Sequence, residues 1–143
     1  MTQVYVSYLA IFVAAILNMV LGSVWYGPLF GKQWMALMGM SKEKMDSQKN
    51  KGGMWKNYLL AFIGSLVMGY VLSHSIVFAG SYLNMSGVQA GMMAGFWSWL
   101  GFVAPVTLGT VLWEGKPWKL WFLLNGYYLI SLLIMGSVLA MWM

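Results

Sequence analysis

The sequence contains no cysteine, no arginine, one histidine and only three acidic residues, Glu43, Asp46 and Glu114. Without cysteine there is no disulfide, no thiolate metal ligand and no cysteine nucleophile. Without arginine there is no bidentate phosphate clamp or guanine reader, so a formal charge of +5 carried by lysine alone does not point to nucleic acid. No second carboxylate accompanies Glu114 to form an acid–base pair. Asp46 lies among lysines in a polar stretch, so no Ser–His–Asp set forms around His74. No glycine-rich phosphate loop follows a strand-like run. The chain is expected not to be an enzyme, and neither a cofactor nor a metal is expected.

What is present is apolar surface. Hydrophobic residues make up 61% of the chain and charged residues 8%, against about 25% charged in soluble proteins. All charges fall in two windows: Lys32 to Lys56, and Glu114 with Lys116 and Lys119. Between and around them lie four apolar runs, about 4–24, 57–79, 88–112 and 118–141. About 20 such residues span the hydrocarbon core as a helix. The expected fold is all-α, an integral membrane four-helix bundle forming a single domain over residues 1–143.

Both charged windows fall on one face of a four-span chain, and the N-terminus, the 80–87 turn and the C-terminus carry no lysine. Positive loops favour the cytoplasm, so residues 27–56 are expected to form a cytoplasmic loop with both termini outside. A bacterial cytoplasmic (inner) membrane is the expected location. No basic leader or Ala-x-Ala pattern accompanies the first run, which is expected to be a structural span. Phe30, Trp34, Leu37 and Met38 recur at helical spacing, predicting a short amphipathic helix between helices one and two. Trp25, Phe30 and Trp34 would lie at the interface. Ser41 reads as the N-cap of a second short polar helix ended by Gly52-Gly53.

Helices associate in lipid through close packing, which favours small residues at contacts. Helix one carries Ala14, Asn18 and Gly22 on one face; helix two carries Ser65, Gly69 and Ser73; helix three carries Gly87, Gly91 and Gly95. These stripes serve either the interior of the bundle or contact between subunits. Pro105 should kink helix three and free a carbonyl near Gly101.

Intramembrane polar residues are functional candidates. His74 could relay protons, bind a metal or ligate a haem or chlorin; the plainer role is a hydrogen bond to Tyr or Ser on another helix. Asn18, Tyr26, Glu114, Asn125 and Tyr128 fall at similar depth near the lysine-bearing end. They could line a polar pocket, or the asparagines could clamp helices together. Glu114 ends helix three, where its charge opposes the helix dipole, so a lysine neighbour (Lys32, Lys116 or Lys119) is expected.

The run Trp25-Tyr26-Gly27-Pro28-Leu29-Phe30-Gly31-Lys32-Gln33-Trp34, then Trp113-Glu114-Gly115-Lys116-Pro117 with Asn125 and Tyr128, resembles a bacterial membrane family called domain of unknown function 1761. Members share a Trp-Tyr-x-Pro segment leading to Phe-Gly-x-x-Trp after the first helix, and a Phe-Glu-x-[Arg/Lys]-Pro segment before the last. Trp113 stands here where Phe is usual. The resemblance covers essentially the whole chain and implies the four-helix fold, without an activity.

Three roles follow. The first is a non-catalytic packing or accessory subunit, acting through its Gly-rich faces in a homo-oligomer or larger membrane complex. The second is an oligomeric channel or transporter for a small, mostly uncharged solute. The third is a lipid or cofactor binder using the region of Tyr26, Trp34 and Asn125. The expected partners are membrane lipid and other membrane subunits.

Overall fold

The structure, a computed structural model, describes residues 6–39, 43–44 and 54–142. Among them four helices are long and apolar enough to cross a membrane: α1 (Tyr8–Leu29), α3 (Met54–Leu83), α4 (Gly87–Leu112) and α5 (Trp118–Met141). A short helix, α2 (Gly31–Met38), follows α1 in the stretch where an interfacial helix was predicted. No strand occurs among the described residues, and the fold is an all-α membrane bundle. The second polar helix expected from Ser41 to Gly52-Gly53 lies outside the described residues, apart from the exposed Glu43 and Lys44.

Local chemistry sets the helix ends. Ser7 caps α1, its hydroxyl accepting the Ala10 N–H at 3.2 Å. The last turn of α1, Trp25–Leu29, is π-helical and contains Pro28. Proline has no N–H to return to the preceding turn; the Phe30 N–H reaches five residues back, to the Trp25 carbonyl, at 2.9 Å. At Gly31 a Cβ would lie 2.7 Å from the Tyr26 carbonyl oxygen, so a side chain there would force α2 away from α1. Gly39, at φ +70°, closes α2 in the left-handed conformation.

The helix α4 is broken. A regular segment, Gly87–Ser98, gives way to a π-helical turn, Trp99–Val103, just before Pro105. Pro105 cannot bond to Gly101, and the wide turn absorbs the mismatch that the sequence predicted as a kink. The Thr107 hydroxyl donates to the Val103 carbonyl at 2.8 Å, one turn back, at the end of the wide turn.

The most buried of the four spans is α5, which touches all the others. Its closest partner is the regular half of α4. A Cβ on Gly91 would fall onto the Gly136 carbonyl oxygen, and one on Gly136 onto the Gly91 carbonyl. A Cβ on Gly95 would lie 2.5 Å from the Leu132 carbonyl oxygen. The two backbones therefore meet directly, as small residues allow in lipid. This corrects one expected use of the helix-three stripe: Gly91 and Gly95 face α5 of the same chain and are not free for a neighbouring subunit. A Cβ on Gly87 would meet nothing within 4 Å, and the residue instead adopts φ +66° where α4 begins. On the other side, Gly69 lets α3 approach Ile11 and Gly22 lets α1 approach the Tyr127 hydroxyl, at 3.2 and 3.0 Å from an added Cβ.

Candidate functional site

Polar side chains of two other helices converge on Asn18 of α1. Its carboxamide nitrogen donates to the Ser65 hydroxyl on α3 at 2.8 Å. Its side-chain oxygen accepts from the Ser131 hydroxyl on α5 and from the Tyr127 hydroxyl, the latter at 3.2 Å. The Ser65 hydroxyl in turn donates to the Ala61 carbonyl at 3.0 Å. Asn18 is buried and its side chain is bonded on both the donor and the acceptor side. Helical spacing puts Asn18 in line with Ala14 and Gly22, so the polar contact sits within the close-packed face of α1.

Asn125 forms a separate contact. Its carboxamide donates to the Thr107 hydroxyl at 2.9 Å and to the Trp121 carbonyl at 3.1 Å. It thus ties α5 to the broken half of α4, while Asn18 ties α1 to α3 and α5. The two asparagines expected in one pocket are engaged in different places. Neither Ser131 nor Thr107 was among the candidate site residues, and Tyr127, not Tyr128, reaches Asn18. A hydroxyl on the next helix could have been anticipated for each buried carboxamide, but not which one.

Tyr26 sits against Tyr127 and Trp34, with ring centroids 5.1 and 5.6 Å away in edge-on geometry. Trp34 thereby anchors α2 to the end of α1, whereas Asn125 is held at Thr107 and Trp121. Trp25 and Phe30 pack at 4.7 Å. Glu114 lies exposed in the α4–α5 turn, where Gly115 adopts φ +71°, and makes no ion pair with a lysine among the described residues. The expected salt bridge is absent there because solvated surface pairs gain little, about 0–1 kcal/mol.

His74 also departs from expectation. Its Nδ1 donates to the Tyr70 carbonyl one turn earlier on its own helix, at 2.9 Å, and its ring lies 4.7 Å from that of Tyr70. Nothing on another helix pairs with it among the described residues. No group of three His, Asp or Glu comes together there either.

The break in α4 opens a further feature. Beyond it α4 parts from α3, leaving a groove of about 560 Å³ lined by Val67, Val71, Phe102, Val106, Tyr128 and Leu132, among others. The groove opens sideways, between helices that face lipid. Tyr128 lies about 15 Å along α5, near the middle of a hydrocarbon core about 30 Å thick. Its hydroxyl has no hydrogen-bond partner among the described residues. Phe102 and Val106 are 79% and 73% exposed, so the outer wall faces the bilayer.

Residues 9–140 match the family described as protein of unknown function, DUF1761. The chain belongs to that family. No curated protein and no solved structure matches it. The segment that carries the family resemblance, residues 25–34, is the π-helical turn and α2, with Tyr26 and Trp34 in contact across it. The matched region includes all four spans but for their outermost residues, and with them the Asn18 contact and the lateral groove.

Proposed function

We propose that the chain is a non-catalytic, multispanning membrane protein that binds a lipid-soluble molecule, carrying a carbonyl-type acceptor, in the groove beside the broken half of α4. The observation that carries this reading is that Tyr128, whose hydroxyl has no hydrogen-bond partner among the described residues, lines an apolar groove near mid-bilayer. An unsatisfied hydroxyl there has no water to turn to and costs several kcal/mol, by order of magnitude. A ligand acceptor would satisfy it, and the groove's volume lies within the usual range of small-molecule sites. The occupation of Gly91 and Gly95 by α5 weakens an accessory role through those faces. The bonding of Asn18 and Asn125 to neighbouring helices favours helix clamps over a solute path.

Equilibrium binding in lipid nanodiscs tests the reading, with a decyl-substituted benzoquinone as probe and decylbenzene as its acceptor-free control. The quinone should bind about tenfold more tightly than decylbenzene, a difference of about 1.4 kcal/mol. Tyr128→Phe should erase that preference, and Val106→Trp should exclude both probes without lowering the thermal midpoint. Equal binding of both probes to the unaltered protein would reject the groove. Native mass spectrometry after mild extraction separates the competing role: a retained small apolar mass supports ligand binding, whereas a foreign subunit in fixed ratio supports an accessory role.

In this reading the lysine-bearing end faces the cytoplasm of a bacterial inner membrane, with the α3–α4 turn outside. Because the chain has no cysteine, single introduced cysteines report orientation cleanly. A membrane-impermeant maleimide should label Tyr82→Cys in intact spheroplasts and leave Glu114→Cys unlabelled until the membrane is opened. The reverse pattern would invert the topology.

A further inference from the structure

A second groove, on the opposite side of α5 from any role of Tyr128, lies where α2 folds back along the start of α5. Its volume is about 720 Å³, and its walls include Trp25, Phe30, Leu37, Phe122, Leu123 and Gly126. Gln33 and Lys119 are the polar side chains that line it. The inner wall is fixed in place. The Trp25 indole N–H donates to the Leu123 carbonyl at 3.1 Å, tying the end of α1 to α5. Its ring lies so close to Gly126 that an added Cβ would sit 3.1 Å away. The ring also packs on that of Phe30, with centroids 4.7 Å apart. The trough is therefore held open by packing and a backbone hydrogen bond.

Its position selects the occupant. Lys119 is the second residue of α5 and α2 directly follows the end of α1, so the trough lies at the boundary of the hydrocarbon layer, at the end of the bundle that bears Lys119. Every charged residue of the sequence lies between Lys32 and Lys56 or between Glu114 and Lys119, a net +5, and among the described residues the other end of the bundle carries no formal side-chain charge. Lys119 is exposed and without an ion-pair partner among the described residues. An apolar floor with a cationic rim at headgroup depth complements one acyl chain beneath an anionic headgroup. We infer that the trough between α2 and α5 is a binding site for an anionic phospholipid, its chain against Trp25, Leu37 and Phe122 and its phosphate at Lys119. This site is independent of the groove beside α4.

The test uses the whole protein in nanodiscs of phosphatidylglycerol and phosphatidylcholine at a ratio of about one to three, so that charge competes against an excess of neutral lipid. Lipids retained after controlled release into detergent are then counted by native mass spectrometry. The unaltered protein should retain phosphatidylglycerol over phosphatidylcholine by about fivefold after correction for their ratio, equivalent to about 1 kcal/mol. Lys119→Gln should bring the preference to about one. Lys56→Gln removes the same charge from a lysine outside the trough and should leave the preference intact. Ala36→Trp, which fills the trough, should remove the retained lipid, and its thermal midpoint checks that the bundle still folds. No preference in the unaltered protein would overturn the site. So would equal losses from Lys119→Gln and Lys56→Gln, which would assign the effect to the net charge of that face.

Discussion

Gly91→Ala is expected to destabilise the bundle more than any other single-methyl change, by about 2–4 kcal/mol. The added Cβ has no flexible side chain to push aside, because the atoms in its way are the backbone carbonyl of Gly136 and the Cβ of Ala140. Relief requires α4 and α5 to separate along their whole contact. Separation by even 0.5–1 Å forfeits a quarter to a half of each dispersion contact across the seam. In lipid no hydrophobic drive closes the gap again. Gly64→Ala provides the comparison. Its Cβ would meet nothing within 4 Å, so this change should be neutral or stabilising by up to about 1 kcal/mol through helix propensity. Thermal unfolding in detergent, with assembly mass measured on the same samples, checks both. A Gly91→Ala protein that melts like its parent but changes assembly size would place this face between chains and reverse the packing described.

The contrast between Gly91 and Gly87 marks how far a sequence pattern reaches. Both belong to one stripe at four-residue spacing, yet one is a backbone contact and the other opens a helix at φ +66°. Spacing shows that a face can be approached closely; only the assembled helices decide what approaches it. The four spans were legible because hydropathy integrates over about 20 residues and survives local irregularity. The structure extends α3 to Met54–Leu83, past the apolar run at both ends, since a lysine near a helix end can carry its charge to water while the helix continues. The π-helical turns were less legible. Proline announces a disturbance, but whether a helix kinks, stops or widens depends on what can satisfy the freed carbonyls. In α4 the turn widens, and Thr107, which no sequence pattern singles out, bonds the Val103 carbonyl beside it.

The same limit applies to the polar residues. Asn18 was recognisable as a buried carboxamide within a small-residue face. Its partners lie 47, 109 and 113 residues away along the chain, at Ser65, Tyr127 and Ser131, and no local pattern connects them. Tyr127 and Tyr128 are neighbours in sequence but point about 100° apart on a helix. One reaches Asn18 and the other lines the lateral groove. For Glu114 and His74 the sequence suggested partners on other elements. The structure leaves the first to solvent and gives the second a bond within its own helix.

Asn18→Ala should lower stability by about 2–3 kcal/mol, because it removes contacts to two helices at once. Interhelical hydrogen bonds in membranes average about 0.6 kcal/mol and reach about 1.7, and Asn18 makes side-chain bonds to Ser65, Tyr127 and Ser131. The loss is uneven among these partners. Ser65 keeps its bond to the Ala61 carbonyl, but Ser131 loses the carboxamide and is left with the weak acceptor sulfur of Met135, at 3.9 Å. Ser131→Ala on its own should therefore cost about 1 kcal/mol, and the double variant should fall short of additivity by 0.5 kcal/mol or more, by the usual behaviour of bonded pairs. Asn125→Ala, which releases a single side-chain contact to α4, should cost less than Asn18→Ala. Unfolding of all four proteins in one detergent distinguishes a clamp from a pathway. Additive losses, or an Asn18→Ala protein as stable as its parent, would show that the carboxamide does not hold the helices together and would return it to consideration as a residue that meets a solute.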